Sequence, residues 1–357
     1  PHAHSPAIAA WLGNVLRPAL EKELRVWGHH PGPLIFTIDD DDPAKGIVDW
    51  TASARFSQGY GDLRHLPAVL VENHSLKPHR QRVLGTYVLL AAALRTLGQA
   101  AGPLRAAIDE DRRRRRKWLP LAFAADEPAR ETFDFAAVAW RRIDSSIAGK
   151  KTIEWLGRPI ERTVPLLRYT KVKRRVRRPA AYWVPPSWPE LIDRLQWHGV
   201  RLERIARARE VEVELLRVVE HEMDDAPYEG NWRVTVKRVD RQVQRERFPP
   251  GSVRVSTDQP LGDLAVALLE PEGPESFFAW GMMLEVLQRS EYVEGYVIDP
   301  MAQKMLQRDP ALRRAFARRL AGDPAFARDP RARRQWFYRR TPYFDERHRL
   351  YPIGREL

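Results

Sequence analysis

The sequence predicts an α/β domain followed by a β-rich region and a helical tail. Three patterns lead there. Helix-type and strand-type segments alternate over the first hundred residues, short β-prone segments recur between residues 133 and 255, and helical spacing returns after about residue 268. A chain of 357 residues exceeds one small core, so two domains are expected: 1–105 and 131–357, joined by a charged, Pro-punctuated linker at 106–130.

The first helix follows from Ile8, Trp11, Leu12, Val15, Leu16, Leu20, Leu24 and Trp27, which recur at helical spacing. Ser5 suits the N-cap, Pro6 the first turn and Gly28 the C-terminal stop, while Pro18 should bend or split the helix. Residues 34–38 read as a short buried strand, and 39–46 as an acidic loop. Residues 66–72 (LPAVLVE) then run apolar into a carboxylate, the pattern of a strand buried on both faces. A Glu at the end of such a strand is costly to bury and lies at the edge where α/β sheets place their sites. Glu72 is therefore a candidate general base, with an ion pair to Lys77, Arg80 or Arg82 as the alternative reading. Pro78 opens a long helix to about residue 97, and Gly98 ends it.

Residues 133–143, 153–159, 162–169 and 180–184 are β-prone, 188–195 is helical, and 198–200 is a turn. Strand-type alternation returns at 211–218, 232–239 and 251–255, which suggests a sandwich or barrel-like domain. Residues 275–287 and 302–328 read as helical, with Asp309-Pro310 and Asp323-Pro324 as helix starts. The aromatic tail at 336–351 is expected to pack back on the body.

Composition narrows the function classes. With no cysteine, disulfides, thiolate zinc sites and cysteine nucleophiles are excluded. A 43% hydrophobic content with 12 Trp argues for folded, core-bearing domains. No apolar run reaches the ~20 residues of a membrane span. No signal peptide stands at the start, and the compartment is open; a periplasmic or extracellular destination is compatible with a leader upstream of Pro1. The net charge of +13 is concentrated in the runs 112–117 and 171–178, each with six cations. Neither run comes with a nucleic-acid-binding motif, so both are read as solvated faces and no nucleic-acid partner is expected. The four aspartates Asp39 to Asp42 read as a solvated loop, since calcium loops spread their oxygens at alternating positions. His74, close to Glu72, reads as a hydrogen-bonded neighbour, and His2 and His4 as incidental.

The loop Gly46-Ile47-Val48-Asp49-Trp50, the string from Leu66 to Glu72, Asn73-His74-Ser75-Leu76-Lys77-Pro78, and the helix that follows resemble the end of the zinc carboxypeptidase fold, the M14 or carboxypeptidase A-like family. Tyr60-Gly61-Asp62-Leu63-Arg64 is similar to a bacterial branch whose catalytic domain is followed by an accessory region. Leu268-Leu269-Glu270-Pro271, the segment from Pro274 to Gly281, and the segment from Trp336 to Tyr343 resemble that accessory region. The resemblance implies the C-terminal part of a mixed-sheet catalytic domain, a zinc cofactor, and a peptide or protein C-terminus as substrate. It implies that Glu72 deprotonates a zinc-bound water and then protonates the leaving amine. It offers Tyr60 as a substrate-binding residue, because Asp39 to Asp42 stand where the family has its mobile tyrosine. The zinc ligands are a departure: none of the ten histidines has Glu three residues on, so no metal ligand is assigned in this chain. The expectation is a fragment whose other half lies upstream, inactive alone, with an unpaired edge along residues 68–71. The alternative is a non-catalytic peptide-binding or accessory module.

Overall fold

The computed structural model describes residues 2–75, 77–128, 131–289 and 292–357; Pro1, Leu76 of the string after Glu72, and Arg130 at the end of the charged stretch lie outside them. The architecture is mixed α/β. It begins with α1 (Pro6–Trp11), a π turn (Leu12–Leu16) and α2 (Arg17–Val26). Pro18 accounts for the π turn: it has no N–H to give the Asn14 carbonyl, and its ring crowds that oxygen, so the helix widens there. Gly28 takes φ +74, the left-handed stop expected of it. Ser5 does not cap the helix with its side chain. The carboxylate of Asp111, far along the chain, accepts from Ala7 N (3.2 Å) and Ile8 N (2.8 Å) instead.

β1 (Phe36–Thr37) and β2 (Ile47–Trp50) follow, then α3 (Ser57–Leu63), α4 (His79–Gln99), α5 (Ala101–Arg113) and β3 (Trp118–Ala124). The segment at 34–38 is corrected: only two residues pair, and Phe36 is 48% exposed on an edge rather than buried. α5 and β3 occupy much of the span that sequence assigns to a linker. Their buried residues Leu104, Asp111 and Leu119 are too sparse among the charges to show as a pattern.

β4 (Glu131–Ser145) and β5 (Lys150–Tyr169) form a long hairpin. β5 also pairs with β2 in parallel, which gives a mixed four-stranded sheet ordered β1-β2-β5-β4. Gly46 makes that pairing possible: its φ is +119, and a Cβ there would lie 2.3 Å from the Pro165 carbonyl oxygen. β6 (Lys171–Arg177) pairs with β3 alone.

The second sheet is built from β7 (Ala181–Val184), β8 (Glu203–Arg204), β9 (Arg209–Met223), β10 (Val234–Phe248), β11 (Val253–Ser256) and β12 (Gly354–Glu356). Its order is β10-β9-β12-β7-β11-β8, antiparallel throughout and open at both ends, so the sandwich or barrel expectation is corrected to an open sheet. α6 (Pro189–Trp197) and α7 (Gly262–Leu269) pack on it, and Tyr182, Leu195, Leu216, Val255 and Leu269 are among the fully buried residues of the largest core. The tail at 336–351 packs back as expected, with Leu350 and Tyr351 buried in two of the cores, and beyond it β12 is inserted between β9 and β7.

Residues 275–287 are turns ending in a short 3₁₀ segment (Leu284–Leu287), not a helix; the helix lies earlier, at α7. The helical tail comprises α8 (Gly295–Arg308), α9 (Pro310–Gly322), α10 (Pro324–Arg328) and α11 (Pro330–Tyr338). Asp309, Asp323 and Asp329 each cap the helix whose first residue is the proline that follows.

Candidate functional site

The apolar run before Glu72 is not a strand in this structure. Residues 66–72 carry no regular secondary structure and belong to no sheet, and Val69, Leu70 and Val71 are 53, 40 and 42% exposed. The doubly buried strand expected from sequence is therefore corrected. A strand needs a neighbour for its N–H and C=O groups, and among the described residues none lies alongside; β1 and β2 pair with each other and with β5. Glu72 itself is exposed and makes no hydrogen bond or ion pair with a described residue; the alternative partners Lys77, Arg80 and Arg82 do not engage it. Arg82 Nε donates to the Lys77 carbonyl at 3.1 Å. Next to Glu72, Asn73 Nδ2 donates to Thr86 Oγ1 of α4 at 2.9 Å, which ties the end of this segment to that helix.

Tyr60 is placed elsewhere. It sits in α3 with its ring against the largest core. Its hydroxyl is 2.7 Å from His198 Nδ1 and accepts from Arg64 Nη1 at 3.1 Å. The structure joins Tyr60 to α6 and not to Glu72. Neither residue lines the cleft of about 360 Å³ beside Arg168 or the one of about 320 Å³ beside Phe316.

Among the described residues no group of three or more His, Asp and Glu side chains converges to hold a metal ion. The donor set that zinc requires is not assembled by these residues. The four aspartates after β1 are not free to ligate: Asp39 pairs with Lys45 (2.6 Å), Asp40 accepts from Thr37, Asp41 pairs with Lys150, and Asp42 lies 3.3 Å from Arg142. The expected solvated loop is an electrostatic strap onto the β4–β5 hairpin.

Two buried polar networks escaped the sequence reading. In the first, the Asp62 carboxylate accepts the backbone N–H groups of Ala3, His4 and Ser5 (2.7, 2.9 and 2.8 Å). Ser5 Oγ donates to the Asp62 carbonyl at 2.6 Å and lies 2.9 Å from His65 Nδ1. This serine–histidine contact is not a nucleophile site, because Ser5 and His65 are 0 and 1% exposed and no substrate can reach them. The network continues to Asp263, which is ion-paired with Arg178 and 3.8 Å from His4 Nδ1. Burial disfavours the Asp263 carboxylate, yet His4 and Arg178 prevail and hold its pKa at about 2. Burial lowers the pKa of His65, against the pull of Asp263, Asp111 and Asp62. In the second network, Glu270 accepts from the Tyr182 hydroxyl (2.6 Å) and pairs with Arg355 (2.8 Å), which also pairs with Glu214. Burial raises the pKa of Glu270, with Arg355 opposing. The only sequence signal for either network was a polar residue breaking an apolar run, as Glu270 does after Leu268-Leu269.

No family model matches the chain, and no solved structure matches it. Curated relatives do. Carboxypeptidase 2 of Trichophyton rubrum is 40% identical over 108 residues, which is 30% of this chain and 20% of that protein. Carboxypeptidase 2 of Trichophyton tonsurans is 39% identical over the same length, and the probable carboxypeptidase 2 of Arthroderma benhamiae 39% over 95 residues, 26% of this chain and 18% of that protein. Over that stretch the chain is related to carboxypeptidases. It spans about a fifth of the length of these relatives, all of them fungal. Chemically, the residues in place offer an accessible carboxylate, Glu72, that no cation among the described residues neutralises.

Proposed function

We propose that this chain carries the general-base carboxylate of a carboxypeptidase of the zinc-dependent M14 type, in a bacterial branch with an accessory region after the catalytic domain. The substrate would be the C-terminus of a peptide or protein. On this reading residues 1–105 are the C-terminal part of the catalytic domain and 131–357 the accessory domain. The observation that carries it is the kinship to proteins named carboxypeptidase 2, joined to a Glu72 that is exposed and unpaired at the end of an apolar segment. Glu72 would take a proton from the water attacking the scissile carbonyl and return it to the leaving amine. The described residues do not assemble zinc donors, so metal chemistry is assigned to none of them. Tyr60, held by His198 and Arg64, would bind substrate only after leaving those partners.

A second reading, a non-catalytic peptide-binding or accessory module, is favoured by that missing donor set. The two are separated by hydrolysis of N-blocked dipeptides. The chain alone is expected to hydrolyse at the buffer background. Co-expressed with the part of T. rubrum carboxypeptidase 2 outside the matched stretch, it is expected to turn over, and Glu72→Gln should lower kcat by about 10²–10⁴. Full activity of Glu72→Gln would remove Glu72 from the reaction; a stable but inert complex would leave the second reading.

A further inference from the structure

The helical tail builds a small core of its own and opens a cleft beside it. α8, α9 and α11 meet through Ile298, Ala302, Phe316 and Phe337, and the Phe316 and Phe337 rings stand 4.6 Å apart. The cleft of about 320 Å³ lies among these three helices, with apolar walls from Ala302, Leu306, Phe316 and Phe337. Asp299, Arg333 and Arg334 also line it, and the two arginines are not alike. Arg334 is spent: its Nε donates to Asp299 Oδ1 at 2.9 Å and its Nη2 to Oδ2 at 2.7 Å. Gly295 makes room for that pair, since a Cβ there would lie 2.8 Å from the guanidinium carbon. Arg333 is exposed, and its guanidinium is 5.7 Å from the centre of the Phe316 ring. It has no carboxylate within ion-pair reach among the described residues.

The charge inventory of the tail points to an anion. Residues 295–340 carry twelve Lys and Arg against four Asp. Three of these acids, Asp309, Asp323 and Asp329, cap helices, and the fourth is Asp299, held by Arg334. The acids of the tail are thus engaged within it, and the uncompensated charge at the cleft is that of Arg333. A ligand that fits brings an anion for this guanidinium and an apolar body for the walls. Inorganic phosphate would use the first and leave the walls wet. A peptide C-terminus would also bring amide N–H groups, and the one carboxylate lining the cleft already accepts from Arg334. An alkyl carboxylate asks for a cation and apolar walls and nothing more.

We infer that the cleft among α8, α9 and α11 binds a medium-chain alkyl carboxylate, its carboxylate on Arg333 and its chain along Ala302, Leu306, Phe316 and Phe337. The inference depends neither on Glu72 nor on the peptidase reading. Its test titrates the full chain with sodium decanoate by isothermal titration calorimetry. One site per chain is expected, with binding tightening about tenfold for each two-carbon step from hexanoate through octanoate to decanoate. Decanamide, which has the chain without the charge, should bind at least about tenfold more weakly than decanoate. Arg333→Gln should weaken decanoate by that factor, leave decanamide unaffected and keep the melting temperature of the free chain. Arg331→Gln, on the same helix and away from the cleft, should change nothing. No binding of decanoate overturns the inference. So does an affinity that ignores chain length, equal binding of decanoate and decanamide, or an equal loss in Arg331→Gln, each of which marks an anion on a basic surface or a non-specific surfactant. Tighter binding of N-acetylphenylalanine than of decanoate overturns it in favour of a peptide C-terminus.

Discussion

At the residue scale, the acid response of the fold is set by the polar network around His65 and Asp263. Asp263 is ionised in the fold down to about pH 2, against 3.8 for the free side chain, so its contribution is complete above pH 3.8 and is lost as the pH falls through 2. That shift corresponds to about 2 kcal/mol. His65 is held neutral by burial, whereas the unfolded chain takes up a proton near pH 6.5. Stability should therefore decline as the pH drops below 6.5, and decline again below 3.8. Melting temperatures measured from pH 7 to pH 3 check this; His65→Gln should flatten the first decline, and an unchanged slope would refute the assignment. Asp263→Asn removes the carboxylate that neutralises the nearly buried Arg178, leaving it only the carbonyls of Arg116 and Thr257, and should cost about 3 kcal/mol in urea unfolding. Glu72→Gln, exposed and unpaired, should change stability by less than about 0.5 kcal/mol. The apolar run that Glu72 ends was legible in the sequence. Asp263 and His65 were not, because their partners lie in distant parts of the chain.

At the scale of elements, α4 shows why periodicity alone misleads. Val88 and Ala92 turn inward, while Val83, Tyr87, Leu90 and Leu94 are exposed; both stripes are apolar, and only packing tells which is inside. Leu90→Lys on the outer stripe should leave the urea midpoint of the chain unchanged, while Ala92→Asp on the inner one should cost at least about 3 kcal/mol by burying an unpaired charge. Equal effects would show that the stripes are assigned to the wrong sides. The junction at Gly46 is a second case. Gly46→Ala places a methyl against Pro165 and should lower the melting temperature by loosening the pairing of β2 with β5. The first helix, the long helix after Pro78 and the Asp-Pro helix starts were readable, because caps and spacing are local. The helix expected at 275–287 was misplaced because its apolar residues fill turns against the core, while the true helix at Gly262–Leu269 is buried almost all round and shows no amphipathic period.

At the scale of the whole molecule, the two halves of the sequence are tied by strands from remote places. β2 finds its partner in β5, and β12, three residues at the chain's end, lies between β9 and β7. Removing residues 349–357 should split the second sheet, expose Leu216 and Val213, and abolish cooperative melting by circular dichroism. Residues 1–125 expressed alone lack the strand that pairs with β2 and should aggregate; a monodisperse, cooperatively melting fragment would count against this.

Sequence by itself determined the mixed α/β character, the first helix, the long helix after Pro78 and the β-rich middle. These follow from local spacing, caps and turn residues, which act over a few positions of chain. Tertiary structure alone decided that residues 66–72 stand outside every described sheet, that Tyr60 belongs to His198, and that the Asp39–Asp42 run is spent on ion pairs. Each of those outcomes depends on which distant groups arrive to pair, and an apolar strand reads the same whether or not its neighbour comes.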